Sequence, residues 1–162
     1  MPLSHLEKSA FLKVATYNIH KGVQGLGPTR RLEIYNLGLA IEQLDADIVC
    51  LQEVRKVHRR EEKYFKHWPE MPQAEFLAPP GYEAIYKTNA ITKHGEHGNA
   101  LLSRWPVLEQ GHEDMSDHRL EQRGLLRGSP ASAIGEAFAP LIGFCQLTFI
   151  KPAAALDQVV DI

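Results

Sequence analysis

The chain has 162 residues, enough for one domain with a substantial core. Its formal net charge of −2 excludes the strongly basic composition of a protein that binds nucleic acid through phosphate contacts alone, although an enzyme with a metal-neutralised site needs no such excess. Two cysteines, Cys50 and Cys145, exclude a disulfide-built scaffold and fit a reducing compartment.

Residues 1–11 read as a polar, poorly ordered leader without the apolar core of a secretory signal, so a cytoplasmic location is expected. Leu12 to Tyr17 is rich in β formers and predicts a strand ending at Asn18-Ile19-His20-Lys21-Gly22. Gly22, Gly25, Gly27 and Pro28 then predict a flexible loop. Asn18 has two readings. It is a common turn residue after a strand, and it is a neutral donor and acceptor suited to a phosphate or a metal-bound water.

A helix is predicted over residues 31–44, with Ile34, Leu37, Ile41 and Leu44 on one apolar stripe. Asp45-Ala46-Asp47 turns the chain into Ile48-Val49-Cys50-Leu51, an unbroken apolar run that predicts a strand buried on both faces. Cys50 within it reads as a small hydrophobe. The pattern stops at Gln52-Glu53. Strand, helix and strand form a βαβ unit with parallel strands, which sets Asn18 and Glu53 on one edge of a sheet. Glu53 is then either the first solvated residue after the strand or a carboxylate where α/β sheets place their ligands.

Residues 55–69 are charged and predict a solvated loop or helix with Tyr64, Phe65 and Trp68 turned inward. Pro69, Pro72, Pro79, Pro80 and Gly81 predict irregular structure. Tyr82 to Thr88 reads as a strand. Lys93 to Asn99 precedes the apolar Ala100-Leu101-Leu102, and its two histidines lack the spacing and the second cluster of a zinc site. The most apolar segment, residues 137–150, is too short to cross a bilayer and contains Pro140 and Gly143.

Four pieces now stand in order: Thr16-Tyr17-Asn18-Ile19-His20, Leu51-Gln52-Glu53-Val54, His97-Gly98-Asn99-Ala100-Leu101-Leu102-Ser103-Arg104, and Glu121-Gln122-Arg123-Gly124-Leu125-Leu126. Together they resemble the endonuclease/exonuclease/phosphatase superfamily, the DNase I-like enzymes, over residues 12–126. The resemblance implies an α/β fold, an incomplete version of that family's two-sheet, four-layer sandwich. It implies a Mg²⁺-dependent phosphoesterase, with Mn²⁺ as the alternative metal, acting on nucleic acid or on a phospholipid or inositol phosphate head group. By the same resemblance Glu53 is the metal-ligating carboxylate, Asn18 contacts the scissile phosphate or a metal-bound water, and His97 and Asn99 lie in a loop near the site. Mg²⁺ takes oxygen ligands and keeps several waters, so one or two carboxylates plus substrate phosphate suffice.

The sequence also departs from that family. The resemblance calls for a further histidine, an Asp-x-Asn segment and a late Ser-Asp-His whose histidine acts as base. No Asp-x-Asn occurs, and Ser116-Asp117-His118 precedes the Glu121–Leu126 strand instead of closing the domain, so it reads as a coincidence. After Leu126 the chain turns rich in Ala, Gly, Ser and Pro. Residues 127–162 therefore read as an unmatched, loosely packed tail, from an altered reading frame with an early stop or from genuine divergence. An apolar sheet face is expected to lack cover, with Leu141 to Ile150 as its candidate lid. The functional expectation is a phosphoesterase crippled in catalysis; the alternative is an inactive fragment that binds phosphate or a partner.

Overall fold

A computed structural model describes residues 13–114, 124–130 and 158–161. The elements in chain order are β1 (Lys13–Asn18), the short strands β2 (Val23–Gln24) and β3 (Arg31–Leu32), α1 (Ile34–Leu44), β4 (Ile48–His58), α2 (Arg59–Tyr64) and α3 (Gln73–Leu77). They continue as β5 (Glu83–Thr92), β6 (Gly95–Ser103), β7 (Val107–Asp114), β8 (Gly124–Pro130) and β9 (Gln158–Asp161). The leader, Ser116-Asp117-His118, Cys145 and Leu141 to Ile150 lie outside the described residues.

The predicted βαβ unit forms as expected. β1 and β4 pair in parallel, from Val14 opposite Ile48 to Asn18 opposite Gln52. The main sheet runs in the order β5-β6-β4-β1-β9, with β5, β6 and β9 antiparallel to their neighbours. Of the tail expected to match no element, residues up to Pro130 extend β8 and Gln158–Asp161 pair with β1.

Alternation along β4 separates two cores. Val49 and Leu51 join Ala15, Ile34, Ile41, Ala74, Leu77, Ala100 and Leu102 on the face covered by α1 and α3. Ile48 and Cys50 join Ile85, Leu101 and Leu126 on the opposite face, with Val14, Trp105 and Val107 packed around them. The β7–β8 hairpin therefore supplies apolar cover for the second face. Cys50 is a buried free thiol.

Several expectations need correction. The helix begins at Ile34, because Arg31 and Leu32 pair with Gln24 and Val23 as a small ribbon. Leu44 is 44% exposed at the last helical position before left-handed Asp45. β4 does not stop at Gln52-Glu53. It continues to His58 because β6 supplies a ladder partner as far as Gly95, and pairing sustains a strand after its faces turn polar. The charged run accordingly divides between the end of β4 and α2, and Tyr64 turns outward at 54% exposed. Among the prolines, Pro72 stands at the N-cap of α3, whose Gln73, Ala74 and Leu77 are buried. His97 and Asn99 lie within β6 and not in a loop. Gly98 is required there, since a Cβ would meet the carbonyl of Lys87 on β5. None of the described helices is long and apolar enough to cross a membrane.

Candidate functional site

The site is built around an irregularity in β4. Leu51 pairs with Ala100 and Val54 with Gly98, so Gln52 and Glu53 together oppose Asn99. This is a β-bulge, one residue more on β4 than on β6. Without it, alternation would point Glu53 into the helix-covered core. With it, Val54 takes that core position at 0% exposure, and Glu53 adopts a left-handed backbone, φ 53°. A glutamate there is strained, which surrounding contacts must hold.

Those contacts come from the end of β1. Asn18 Nδ2 donates to Glu53 Oε1 at 3.2 Å, and the Lys21 ammonium lies 3.6 Å from Glu53 Oε2. The Glu53 side chain is 11% exposed. Asn18 Oδ1 accepts the His20 backbone N–H at 2.9 Å, which shapes the turn that presents Lys21. His20, Lys21 and Gly22 are all left-handed, with φ of 47°, 65° and 71°. At Gly22 only glycine fits: a Cβ would stand 2.7 Å from Gln73 Nε2 and 3.1 Å from Ile34 Cδ1.

Gln73 ties the two halves together. It is buried at 1% exposure, donates from Nε2 to the Lys21 carbonyl at 2.8 Å and accepts the Arg55 backbone N–H on Oε1 at 2.8 Å. One side chain thus links the turn carrying Lys21 to the strand carrying Glu53. Neither Lys21 nor Gln73 was singled out from the sequence. Lys21 carried a usable signal, a cation next to a glycine at a strand end; Gln73 follows Pro72 in a breaker-rich stretch and carried none.

His97 stands beside this group on β6, half-buried. Burial, then the Lys21 cation, depress its proton affinity, while Glu53 opposes them and Arg55 adds to them. Its imidazole is therefore neutral near pH 7. Asn99 is 3% exposed and turns elsewhere: its Nδ2 donates to the Gly124 carbonyl at 2.8 Å. Asn89 Oδ1 and His112 Nε2 lie 3.1 Å apart in the same polar cluster. A Cβ on Gly124 would strike both. Asn99 thus anchors the β7–β8 hairpin over the sheet.

The charged run after Glu53 also holds a buried network. Arg55 Nη1 lies 3.4 Å from Glu61 Oε1, and Arg30 Nη2 pairs with the same oxygen. Burial works against the Arg55 charge, and Glu61 offsets it.

Among the described residues no group of three or more His, Cys, Asp or Glu side chains gathers as for a chelated metal. A hydrated Mg²⁺ has a smaller requirement, one or two carboxylates with substrate oxygens filling other positions. Glu53, held by Asn18, fits one such ligand, with Lys21 as its present counter-charge.

The model of the endonuclease/exonuclease/phosphatase family matches residues 15–138, a span that holds Asn18, Lys21, Glu53, Gln73, His97 and Asn99. The chain belongs to this family. The match runs to residue 138, past Leu126, where the motifs stop. The uncharacterized protein YbhP of Escherichia coli (strain K12) is 40% identical over 115 residues, 70% of this chain and 45% of YbhP. The same figures hold for YbhP of Shigella flexneri, so this chain spans less than half the length of these relatives. A solved endonuclease/exonuclease/phosphatase family protein from Leptotrichia buccalis C-1013-b matches with TM-score 0.51 and 14% identity, over 75% of this chain and 50% of that one. That likeness supports the DNase I-like α/β fold, which the described residues cover in part.

Proposed function

We propose that this endonuclease/exonuclease/phosphatase family chain carries the metal- and phosphate-binding part of a Mg²⁺-dependent phosphoester hydrolase site, with Mn²⁺ as an alternative. The observation that carries the reading is the Asn18–Glu53 pair, a nearly buried carboxylate oriented by an amide, with the amide at the end of one parallel strand and the carboxylate in the bulge of the next. Glu53 is the metal carboxylate. Asn18 fixes Oε1 and keeps a second amide N–H for a phosphate oxygen. Lys21 offers a cation to the same phosphate. His97, neutral near pH 7, is a hydrogen-bonding group at its margin. Bound at Glu53, Mg²⁺ would supply charge neutralisation on the phosphoryl group.

Phosphoester substrates such as nucleic acids follow from the family, and phospholipid or inositol phosphate head groups remain alternatives. The free Cys50 thiol fits the cytoplasmic location proposed with this function. The described residues offer one carboxylate at the site and no histidine–aspartate pair beside it, so hydrolysis by this chain should be slow. General-base catalysis is worth about 10²–10⁴ in rate. The test is a Mg²⁺ titration followed by backbone amide shifts, with hydrolysis of a generic phosphodiester measured in parallel. Shifts should centre on Glu53 and Asn18 and vanish in Glu53→Gln. Equal Mg²⁺ binding by Glu53→Gln would remove the assignment. Robust hydrolysis abolished by His118→Ala and Glu53→Ala alike would show that Ser116-Asp117-His118 completes the site.

A further inference from the structure

Helix α2 and the loop between β2 and β3 share an exposed surface that the proposed site does not use. Between Lys56 and Lys66 the exposed charges are Lys56, Arg59, Arg60, Lys63 and Lys66 against Glu62. Over the whole chain acids outnumber bases, 20 to 18, so this stretch is a local excess of positive charge. Glu61 does not offset it at the surface, because Arg30 and Arg55 hold its carboxylate in the interior. Glu62 accepts the His58 backbone N–H at 3.4 Å. With 3.6 residues per turn, Arg59, Lys63, Arg60 and Tyr64 span an arc of about 140° on α2, and both glutamates fall outside it.

The loop sets an apolar tip beside that arc. Gly27 and Pro28 line a cleft of about 420 Å³ together with Arg60 and Tyr64, and its walls are almost wholly apolar. Next to Gly27 stands Leu26, 87% exposed. The loop is built to hold it there. Thr29 donates to the Leu26 carbonyl twice, from Oγ1 at 2.8 Å and from its backbone N–H at 3.2 Å. Gly25, at φ 90°, allows the close turn, since a Cβ would stand 2.8 Å from the Thr29 carbonyl oxygen. Tyr64 is 54% exposed, its ring braced by the Arg30 guanidinium 5.4 Å from the centroid and by Phe65 edge-on at 4.8 Å.

We propose that this face docks the chain on an anionic lipid bilayer. Leu26 and Pro28 enter the boundary between head groups and acyl chains, Tyr64 sits at that border, and Arg59, Arg60 and Lys63 meet lipid phosphates. Apolar side chains rimmed by cations are what an anionic membrane surface selects, and tyrosine favours the interface because one end of its ring is wet. Nucleic acid would meet the cations equally well but offers no apolar volume for a protruding leucine. A folded acidic partner would need a pocket shaped for Leu26, whereas acyl chains yield around it. The contact places the chain on a surface and is independent of which phosphoester is hydrolysed at Glu53.

The experiment is co-sedimentation of the full chain with vesicles of phosphatidylcholine and phosphatidylglycerol mixed at about 7:3, in EDTA so that no metal bridges lipid to Glu53. Binding should saturate, weaken as salt rises and be absent on phosphatidylcholine alone. Leu26→Ser should weaken it about tenfold, and Leu26→Phe should retain it. Arg60→Ser and Lys63→Ser should each weaken it about fivefold. These positions are exposed, so the substitutions leave the packed core untouched. Glu53→Gln should bind the vesicles as the unmodified chain does; loss of binding in that variant would locate the lipid contact at the phosphoester site and overturn the proposal. So would failure to bind anionic vesicles, or binding indifferent to Leu26→Ser. Displacement from the vesicles by soluble glycerol phosphate would reduce the contact to a phosphate site and overturn it as well. A single-stranded oligonucleotide that binds regardless of Leu26→Ser and strips the chain from vesicles would assign the face to nucleic acid instead.

Discussion

Glu53 reads as a strand terminus in one dimension and as the centre of a hydrogen-bonded group in three. Its left-handed backbone is held by Asn18, Lys21 and the Gln73 link, so each neighbour can be tested through what happens at Glu53. Gln73→Ala leaves the Arg55 N–H and the Lys21 carbonyl unpaired in a buried place, at a cost on the order of 2 kcal/mol. Thermal unfolding should show that loss, and Mg²⁺ affinity should fall with it, because the turn and the bulge are uncoupled. A stability loss with undisturbed Mg²⁺ binding would reduce Gln73 to a core residue. Lys21 poses the opposite case. Its ammonium competes with a metal for Glu53, and a partly exposed pair of this kind contributes about 1 kcal/mol or less. Lys21→Met should therefore tighten Mg²⁺ by up to about fivefold while weakening inorganic phosphate. Isothermal titration with each probe separates the two effects.

At the scale of elements, α2 depends on a neutral histidine. His58 is its N-cap, and the ring nitrogen Nδ1 accepts the Glu61 N–H at 3.1 Å, which a protonated ring cannot do. Burial, followed by the Arg55 charge, lowers the proton affinity of His58, and His97 is lowered in the same direction. Below the ordinary histidine value of about 6.5 the unfolded chain binds protons that the folded chain does not. Stability should therefore fall as pH drops from about 7 toward 5. Denaturant unfolding across that range should show the slope. His58→Asn, which keeps a side-chain cap acceptor, should flatten it in part, and adding His97→Gln should flatten it further. The β5–β6 pair has a different dependence. Gly98 lets the strands approach where a Cβ would meet the Lys87 carbonyl, so Gly98→Ala should cost about 1–3 kcal/mol, read as a lower denaturation midpoint.

For the whole molecule the sheet has two apolar faces and different cover on each. Helices α1 and α3 close one, and the β7–β8 hairpin closes the other through Leu126, with Trp105 and Val107 beside it. Leu126 is 1% exposed, so Leu126→Ala should cost about 2–5 kcal/mol. If the hairpin only rested on the sheet, the change would register well under that, and binding of a dye specific for exposed apolar surface would not rise. Asn99, tied to the Gly124 carbonyl, is the polar fastening of the same hairpin.

Residue order by itself determined the βαβ unit, the buried run Ile48–Leu51, the placement of Asn18 and Glu53 on neighbouring strands and the family. These follow from local rules: apolar periodicity, turn residues and short motifs in order. Only the tertiary structure decided where β4 ends, because a strand that has turned polar persists when β6 pairs with it. It also decided that Glu53 sits in a bulge, since the extra residue becomes visible only against Asn99 on the partner strand. Tyr64 turned outward and Glu61 inward, against their hydropathy, because Arg30 and Arg55 neutralise the glutamate from distant points of the chain. Gln73 joined the site for the same kind of reason. Its partners, Lys21 and Arg55, are remote in sequence, and hydrogen bonds between remote backbone groups leave no periodic trace in the residues that make them.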